Sequence, residues 1–399
     1  MMLIHFKSRD LNYLRRHGQF WHNFVSSGVA LIAQDEVDTW TVHLAVPLDA
    51  KLDDFDPIEK IQTSLGGEFG AVPIKVDKIL VKSFWRPNIC IAKSFISPKG
   101  RAFLVGDAAH QNIPAGGYGM NTAVGDAFDI GWKVAAAVKG YAGAGLLQSY
   151  EEERKPVATR NIDRSGRHWS QLAKFWEMST GTNGVVAAQT DEGKALRARI
   201  DEYMTTHDGE NREHGIEMGY RYNGSSVIVP SDDPSKEPRW DYRQYVPSTW
   251  PGARAPHVFL EDGKTSVFSV LGQGPDYSLV DFSPDARFIN KFKPAFESLG
   301  IPWVPVHLPN EPTVRKIWER EAVLVRPDQH VAWRTGETPT LDFDEREILA
   351  TVIGLKSELG GVSEGGPSLT EGQGFLAVIG KAQPIGEGEH NDKYAAFQR

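Results

Sequence analysis

Cysteine is nearly absent: Cys90 stands alone among 399 residues. A single thiol excludes disulfides within the chain, a CxxC redox centre and a cysteine-rich metal site. No uninterrupted apolar run is long enough to cross a bilayer, and Met1 to Lys7 is too short and too polar for a signal peptide. The expected setting is therefore soluble and cytoplasmic. There is no basic block, and a net charge of −8 with a pI near 5.9 argues against a nucleic-acid or anionic-membrane partner. The 12 histidines are scattered rather than set among acids at ligand spacing, so no metal site is expected. The G-x-S-x-G elbow of many hydrolases is missing. Missing too is the strand, G-x-G-x-x-G and helix that open a dinucleotide-binding unit. Gly66-Gly67-Glu68-Phe69-Gly70 and Gly116-Gly117-Tyr118-Gly119 lack its spacing.

What is present centres on Arg101-Ala-Phe-Leu-Val-Gly-Asp-Ala-Ala-His110 and its continuation to Asn121. The apolar run Ala102 to Val105 reads as a strand buried on both faces. It ends at Gly106-Asp107, at the carboxyl end of a strand, where open α/β sheets bind ligands. A loop containing Gly116, Gly117 and Gly119 follows, then a helix whose predicted core stripe is Val124, Phe128, Gly131, Trp132, Ala135 and Val138. Asn121 is the candidate N-cap, and Asp126 and Asp129 suit the helix's N-terminal half. Such a helix aims free N–H groups and partial positive charge at the glycine loop. The Asp107 carboxylate can accept two hydrogen bonds from hydroxyls, as a ribose or ribityl chain offers. Together these parts describe a site for a large polyhydroxylated ligand with an electron-rich edge.

The pattern G-D-A-A-H, a proline, G-G-x-G-M-N, then D-A and W-K resembles the second flavin motif of the class A FAD-dependent aromatic hydroxylases, the group of phenol and hydroxybenzoate hydroxylases. The resemblance implies that Gly106 and Asp107 hold the ribityl chain of FAD and that Pro114 passes near the reactive ring edge. It also implies that Gly116 and Gly117 shape the loop, while the amides of Gly119, Met120 and Asn121 face the pyrimidine side. NAD(P)H would be the electron donor, and an aromatic or enolic small molecule the substrate. In that family the G-x-G-x-x-G unit precedes this motif; here it is absent. The chain is then expected to fold poorly alone, to need a separate polypeptide supplying the first half, or to continue upstream of Met1.

The implied fold class is α/β (α+β): an incomplete Rossmann-like FAD-binding domain of the hydroxylase fold with a β-rich substrate sheet, followed by a thioredoxin-like domain. Residues 1–95 are assigned to the substrate sheet, 96–180 to the C-terminal part of the FAD domain, and 181–247 to an irregular connector. Residues 248–357 form the thioredoxin-like unit and 358–399 a glycine-rich flexible tail. Within the first region, 28–33 and 39–46 form a hairpin whose second strand alternates, with Trp40, Val42, Leu44 and Val46 on one face. Thr41 and His43 lie on the other. If this sheet roofs a flavin, they are candidates for substrate contact; a half-exposed strand histidine is the plain alternative. The lack of arginine there suggests a substrate held by apolar contacts rather than through a carboxylate. Phe20, Trp21 and Phe24 read as core.

Asp56 and Pro57 suit the start of a helix. Residues 145–177 read as one helix or two, with a kink or break at Pro156, and Glu151, Glu153 and Arg154 as ion pairs on a solvated face. In the last unit, strands are expected at 267–271, 278–282, 303–307, 322–326 and 331–334, with helices at 286–299 and 345–356. His257 and His330 are taken as structural or exposed. The resemblance implies a homodimer through this unit. The functional alternative is a catalytically inactive remnant that acts as a dimerising or interaction protein.

Overall fold

The computed structural model describes residues 1–355 apart from 17, 48, 87, 183, 208–211, 231 and 232. The expected tail at 358–399 lies outside the described residues.

The chain opens with an antiparallel sheet of order β2-β3-β4-β1-β5. Its strands are β1 (Met2–Lys7), β2 (His22–Val25), β3 (Val29–Ala33), β4 (Thr39–Leu44) and β5 (Lys78–Phe84); the short α1 (Leu11–Leu14) follows β1. Strict alternation sends Met2, Ile4, Phe6, Val29, Leu31, Trp40, Val42 and Leu44 to one face, where they pack with Ile61 and Leu65 of α2 (Pro57–Gly66). Helix α2 starts as expected: the Asp56 carboxylate accepts from the amides of Ile58 and Glu59, and Pro57 takes the first position. The hairpin of β3 and β4 also matches expectation, with Ala30 opposite His43 and Ile32 opposite Thr41. Trp21 does not join the core. It stands 72% exposed, while Phe20 packs partly on the core and Phe24 meets Trp176.

From residue 90 to 113 the expectation fails. Ala102 to Val105 is no doubly buried strand; only Phe103 bridges, to Ile96, and Leu104 is exposed. No strand among the described residues lies alongside to complete a ladder. A second short pairing here joins β6 (Cys90–Ile91) to β7 (His110–Gln111). Helix α3 (Tyr118–Lys139) then runs to a left-handed Gly140. Its buried face matches the predicted stripe only at Trp132. Val124, Phe128 and Val138 are exposed, and the buried side carries Thr122, Asp126, Asp129, Ile130, Trp132, Lys133 and Ala136.

Helix α4 (Ala144–Ser179) is continuous through Pro156. The one backbone bond that proline forfeits is outweighed by tertiary packing, since Arg154, Val157, Ala158 and Ile162 around it are all buried. The expected core residues Leu146 and Tyr150 are buried too. The expected irregular connector holds a 16-residue helix, α5 (Asp191–Thr206), capped by Thr190, and the single-turn α6 (His214–Glu217). Only Gly193 of α5 is buried, so its sequence offered no apolar stripe to read.

The last sheet has order β11-β10-β8-β9, from β8 (Tyr277–Asp281), β9 (Trp303–His307), β10 (Ala322–Val325) and β11 (Val331–Arg334). Only the pair of β8 with β9 is parallel. With α8 (Arg287–Leu299) between β8 and β9, α9 (Pro312–Trp318) before β10 and α10 (Glu345–Val352) at the end, this is the order of the expected thioredoxin-like unit. Asp281 caps α8 from inside the core, accepting from Phe288 and Ile289 amides. Residues 267–271 are not a strand: Ser266 caps a single helical turn, α7 (Val267–Val270). Helix α9 went unforeseen, and α10 stops at Val352 rather than 356. One hydrophobic cluster joins Trp132, Ala136, Tyr141 and Leu146 to Leu279, Phe288, Phe292 and Leu349, so α3 and α4 share a core with the terminal unit.

Candidate functional site

Gly106, Asp107 and Ala108 form a single 3₁₀ turn, with φ +58° at Gly106. A Cβ there would lie 2.9 Å from the Ala123 methyl of α3, so only glycine lets turn and helix approach this closely. Asp126 pins the turn. Its Oδ2 accepts from the Gly106 amide at 3.2 Å and pairs with His110 Nε2 at 2.7 Å, while Oδ1 accepts from Arg154 Nε at 2.8 Å. Burial would raise the carboxyl's pKa, but the hydrogen bond to His110 and the Arg154 charge outweigh it, and Asp126 is held below its usual value. Inner partners thus fix the turn, and the Asp107 side chain is left exposed, with no hydrogen bond or ion pair to any of the described residues.

The glycine loop is fixed from beneath in the same way. Gly116 and Gly117 have φ of +82° and +71°. A Cβ on Gly116 would fall 2.5 Å from the Tyr118 ring and 3.0 Å from His168. Tyr118 stacks on His168 at 6.0 Å and donates its hydroxyl to Glu213 at 2.6 Å. Glu213 also binds Arg164 and His168. Burial opposes its charge, yet these partners keep its pKa at about 2.

The N-cap of α3 is Gly117, not Asn121, whose Nδ2 instead donates back to the Gly117 carbonyl at 2.8 Å. The amides that precede the first intrahelical bond are therefore those of Tyr118, Gly119 and Met120, one residue earlier than expected. Around them the surface is open. Nothing stands within 4 Å of the Gly119 Cβ position, Met120 is 76% exposed and Pro114 is exposed. The arrangement offers a free carboxylate and a positive helix tip beside a bare backbone, which fits the ring and ribityl end of a flavin. Among the described residues no strand, glycine loop and helix offers a seat for the adenylate and pyrophosphate.

Thr41 and His43 lie on β4, apart from this loop in the chain, and their surroundings differ. Thr41 is 3% exposed, and its Oγ1 is engaged by Gln34 Nε2 at 3.0 Å and His5 Nδ1 at 2.8 Å. His43 is half-buried and takes a hydrogen bond from Trp85 Nε1 on Nδ1.

The residues that hold the site were missed. Glu153 and Arg154, read as solvated, are buried, and Glu153 meets Lys133 at 2.7 Å and Arg326 at 2.5 Å. Arg326 sits between the rings of Trp132 and Tyr222, reaching from the terminal unit into the α3–α4 interface. The oxygens of Asp129, Glu153 and Asp328 cluster closely enough to hold a metal ion. Lys133 and Arg326 already supply the positive charge there. A usable signal existed: Thr122, Asp126, Asp129 and Lys133 recur at helical spacing, a polar stripe as regular as the apolar one.

Residues 1–165 match the FAD binding domain family model, and 248–354 match the aromatic-ring hydroxylase C-terminal model. The chain is 40% identical over 372 residues to the FAD-dependent monooxygenase apdD of Emericella nidulans, covering 90% of this chain and 59% of that protein. It is 39% identical over 365 residues to the FAD-dependent monooxygenase opdD of Penicillium oxalicum, covering 88% and 68%. Among solved structures, the rebeccamycin biosynthetic enzyme RebC with reduced flavin superposes with a TM-score of 0.73 at 30% identity, covering 89% of this chain and 63% of that one. The chain thus spans about three fifths to two thirds of the length of these relatives.

Proposed function

The chain belongs to the FAD-dependent aromatic-ring hydroxylases, and from that premise we propose that it serves an NAD(P)H-driven monooxygenase acting on an aromatic or enolic small molecule. The observation that carries this reading is the unpaired Asp107 carboxylate beside an open, left-handed glycine loop at the tip of α3. Asp107 would hold the ribityl hydroxyls. The amides of Tyr118, Gly119 and Met120 would face the pyrimidine side and favour negative charge on it. When bound, the flavin would supply the redox chemistry for coupling NAD(P)H oxidation to insertion of one atom of dioxygen into the substrate, the other leaving as water. The protein's own part is to orient the ring, through Asp126 under the Gly106 turn and Tyr118 under the glycine loop.

The substrate would lie against the open face of the first sheet, where His43 stands. The adenylate end needs a strand, glycine loop and helix from beyond the described residues, in this polypeptide or another. The solvent-facing stripe of α3 gives such a unit an apolar surface to pack on. That same stripe favours a second reading, a non-catalytic interaction protein. Among the described residues, no helix is long and apolar enough to cross a membrane.

FAD titration of the purified chain, followed by flavin fluorescence and NAD(P)H oxidation, tests the proposal. Quenching that Asp107→Ala weakens, with oxidation stimulated by a phenol, supports it. A chain that stays colourless in excess FAD favours the interaction protein. Light scattering checks the dimer expected through the terminal unit.

A further inference from the structure

The first sheet has one closed face and one open one, and its register shows what the open face presents. Paired residues of neighbouring strands share a face. One row across the sheet therefore runs Phe24, Ala30, His43, Leu3, Ser83, and the next runs His22, Ile32, Thr41, His5, Val81. Neither row contains lysine or arginine. In the first row an alanine separates two rings. Phe24 and His43 sit two strands apart, roughly 10 Å at the usual inter-strand spacing, with only the Ala30 methyl as floor. That gap suits a planar system of two fused rings.

One end of the gap offers a hydrogen-bond donor and the other an aromatic edge. At one end, Trp85 Nε1 lies 3.1 Å from His43 Nδ1, with the rings edge to face at 73°. An indole nitrogen can only donate, so Nδ1 must accept. The neutral ring then carries its proton on Nε2, which has no partner among the described residues. Protonating the ring would set N–H against N–H. Burial, and then the neighbouring His22, push the His43 pKa down in the same direction. At the other end, Trp176 of α4 meets Phe24 edge-on at 6.4 Å, and its Nε1 is buried with no hydrogen-bond partner.

We propose that His43, locked by Trp85 as the Nε2–H tautomer, is a specificity-determining donor for a flat, fused-ring aromatic substrate carrying a phenolic, enolic or carbonyl oxygen, with Phe24 and Trp176 as the aromatic end of the seat. The assignment rests on the monooxygenase reading for its place in a reaction, but its test does not need the flavin. It also explains why Thr41 is the lesser candidate: its hydroxyl is already engaged, whereas the free nitrogen of His43 is the group left over.

The test has two parts on the full chain. Nitrogen NMR of histidine-labelled protein reads the tautomer directly. His43 is expected with its proton on Nε2 and without a protonation step near the ordinary histidine value of about 6.5; Trp85→Phe should restore that step. An Nδ1–H tautomer, or ordinary titration in the unaltered protein, overturns the proposal. The second part compares 2-naphthol with 2-methylnaphthalene by calorimetry. One good hydrogen bond should favour 2-naphthol by about tenfold. His43→Phe should abolish that preference, and His43→Gln, which can still accept from Trp85 and donate outward, should keep most of it. Equal binding of the two probes, or no binding of 2-naphthol, also overturns it. If these results hold and FAD fails to bind, the monooxygenase reading falls and the seat stands. If FAD binds and the tautomer is wrong, the reverse follows.

Discussion

Helix α3 and the terminal sheet solve opposite packing problems. In the sheet, β8, β10 and β11 are buried along their whole lengths, with apolar clusters on both faces. In α3 the polarity is inverted: Asp126, Asp129 and Lys133 face inward, and Met120, Val124, Phe128 and Val138 face solvent. Charge can be kept inside only if it is paired, and here it is, through Arg154, His110, Glu153 and Arg326. The lesson is that an apolar stripe identifies a face that wants cover. It does not say which neighbour supplies the cover.

The largest test of that contrast removes the cation common to both regions. Arg326→Met leaves three buried carboxylates, Glu153, Asp129 and Asp328, with Lys133 beside only the first two. Breaking a buried pair in this way should cost about 3–5 kcal/mol, seen as a lower urea midpoint. A shift within about 0.5 kcal/mol would mean the cluster does not join α3 to the terminal unit.

The sequence was legible where local rules and tertiary packing agree. The alternation of β4, the Asp56-Pro57 start of α2 and four of the five strands expected in the terminal unit stand as read. The left-handed turns at Gly106, Gly116 and Gly117 precede the helix start as the motif implied, though the cap moved to Gly117. It was illegible where the neighbour decides. Ala102 to Val105 has the composition of a buried strand, yet forms none without strands beside it. Glu153 and Arg154 look solvated until Arg326, far along the chain, closes over them. Helix α5 has no stripe to betray it.

The next effect in size separates binding from folding. Asp107→Ala removes an exposed carboxylate without structural partners, so the thermal midpoint should stay put. Loss of charge-assisted hydrogen bonds to the ribityl hydroxyls should weaken FAD binding by roughly tenfold or more, about 1.5–3 kcal/mol, in a fluorescence titration. Equal loss of stability and affinity would make Asp107 a structural residue.

A subtler prediction concerns pH. Burial pushes the Asp129 pKa up to about 7, whereas Arg326 and Lys133 hold Glu153 at about 2 against the same burial. The signs differ accordingly. Asp129 keeps its proton in the folded state where the unfolded chain has lost it, so its contribution to stability falls as pH rises from about 4 towards about 7. Glu153 does the opposite, and its contribution is lost below its ordinary range. Asp129→Asn should therefore flatten the decline in urea midpoint between about pH 4 and about pH 7. An unchanged slope would place the titration elsewhere.

The smallest expected effect bears most directly on the inverted helix. Phe128 faces solvent at 58% exposure, so Phe128→Ser in this chain should shift stability by no more than about 0.5 kcal/mol. Trp132, one turn along and 7% exposed, would by the same logic cost about 3–5 kcal/mol on truncation to alanine. The pair makes the comparison quantitative within a single helix. Similar costs at the two positions would show that the stripe is covered after all, and the surface offered to a dinucleotide-binding unit would no longer be free to receive one.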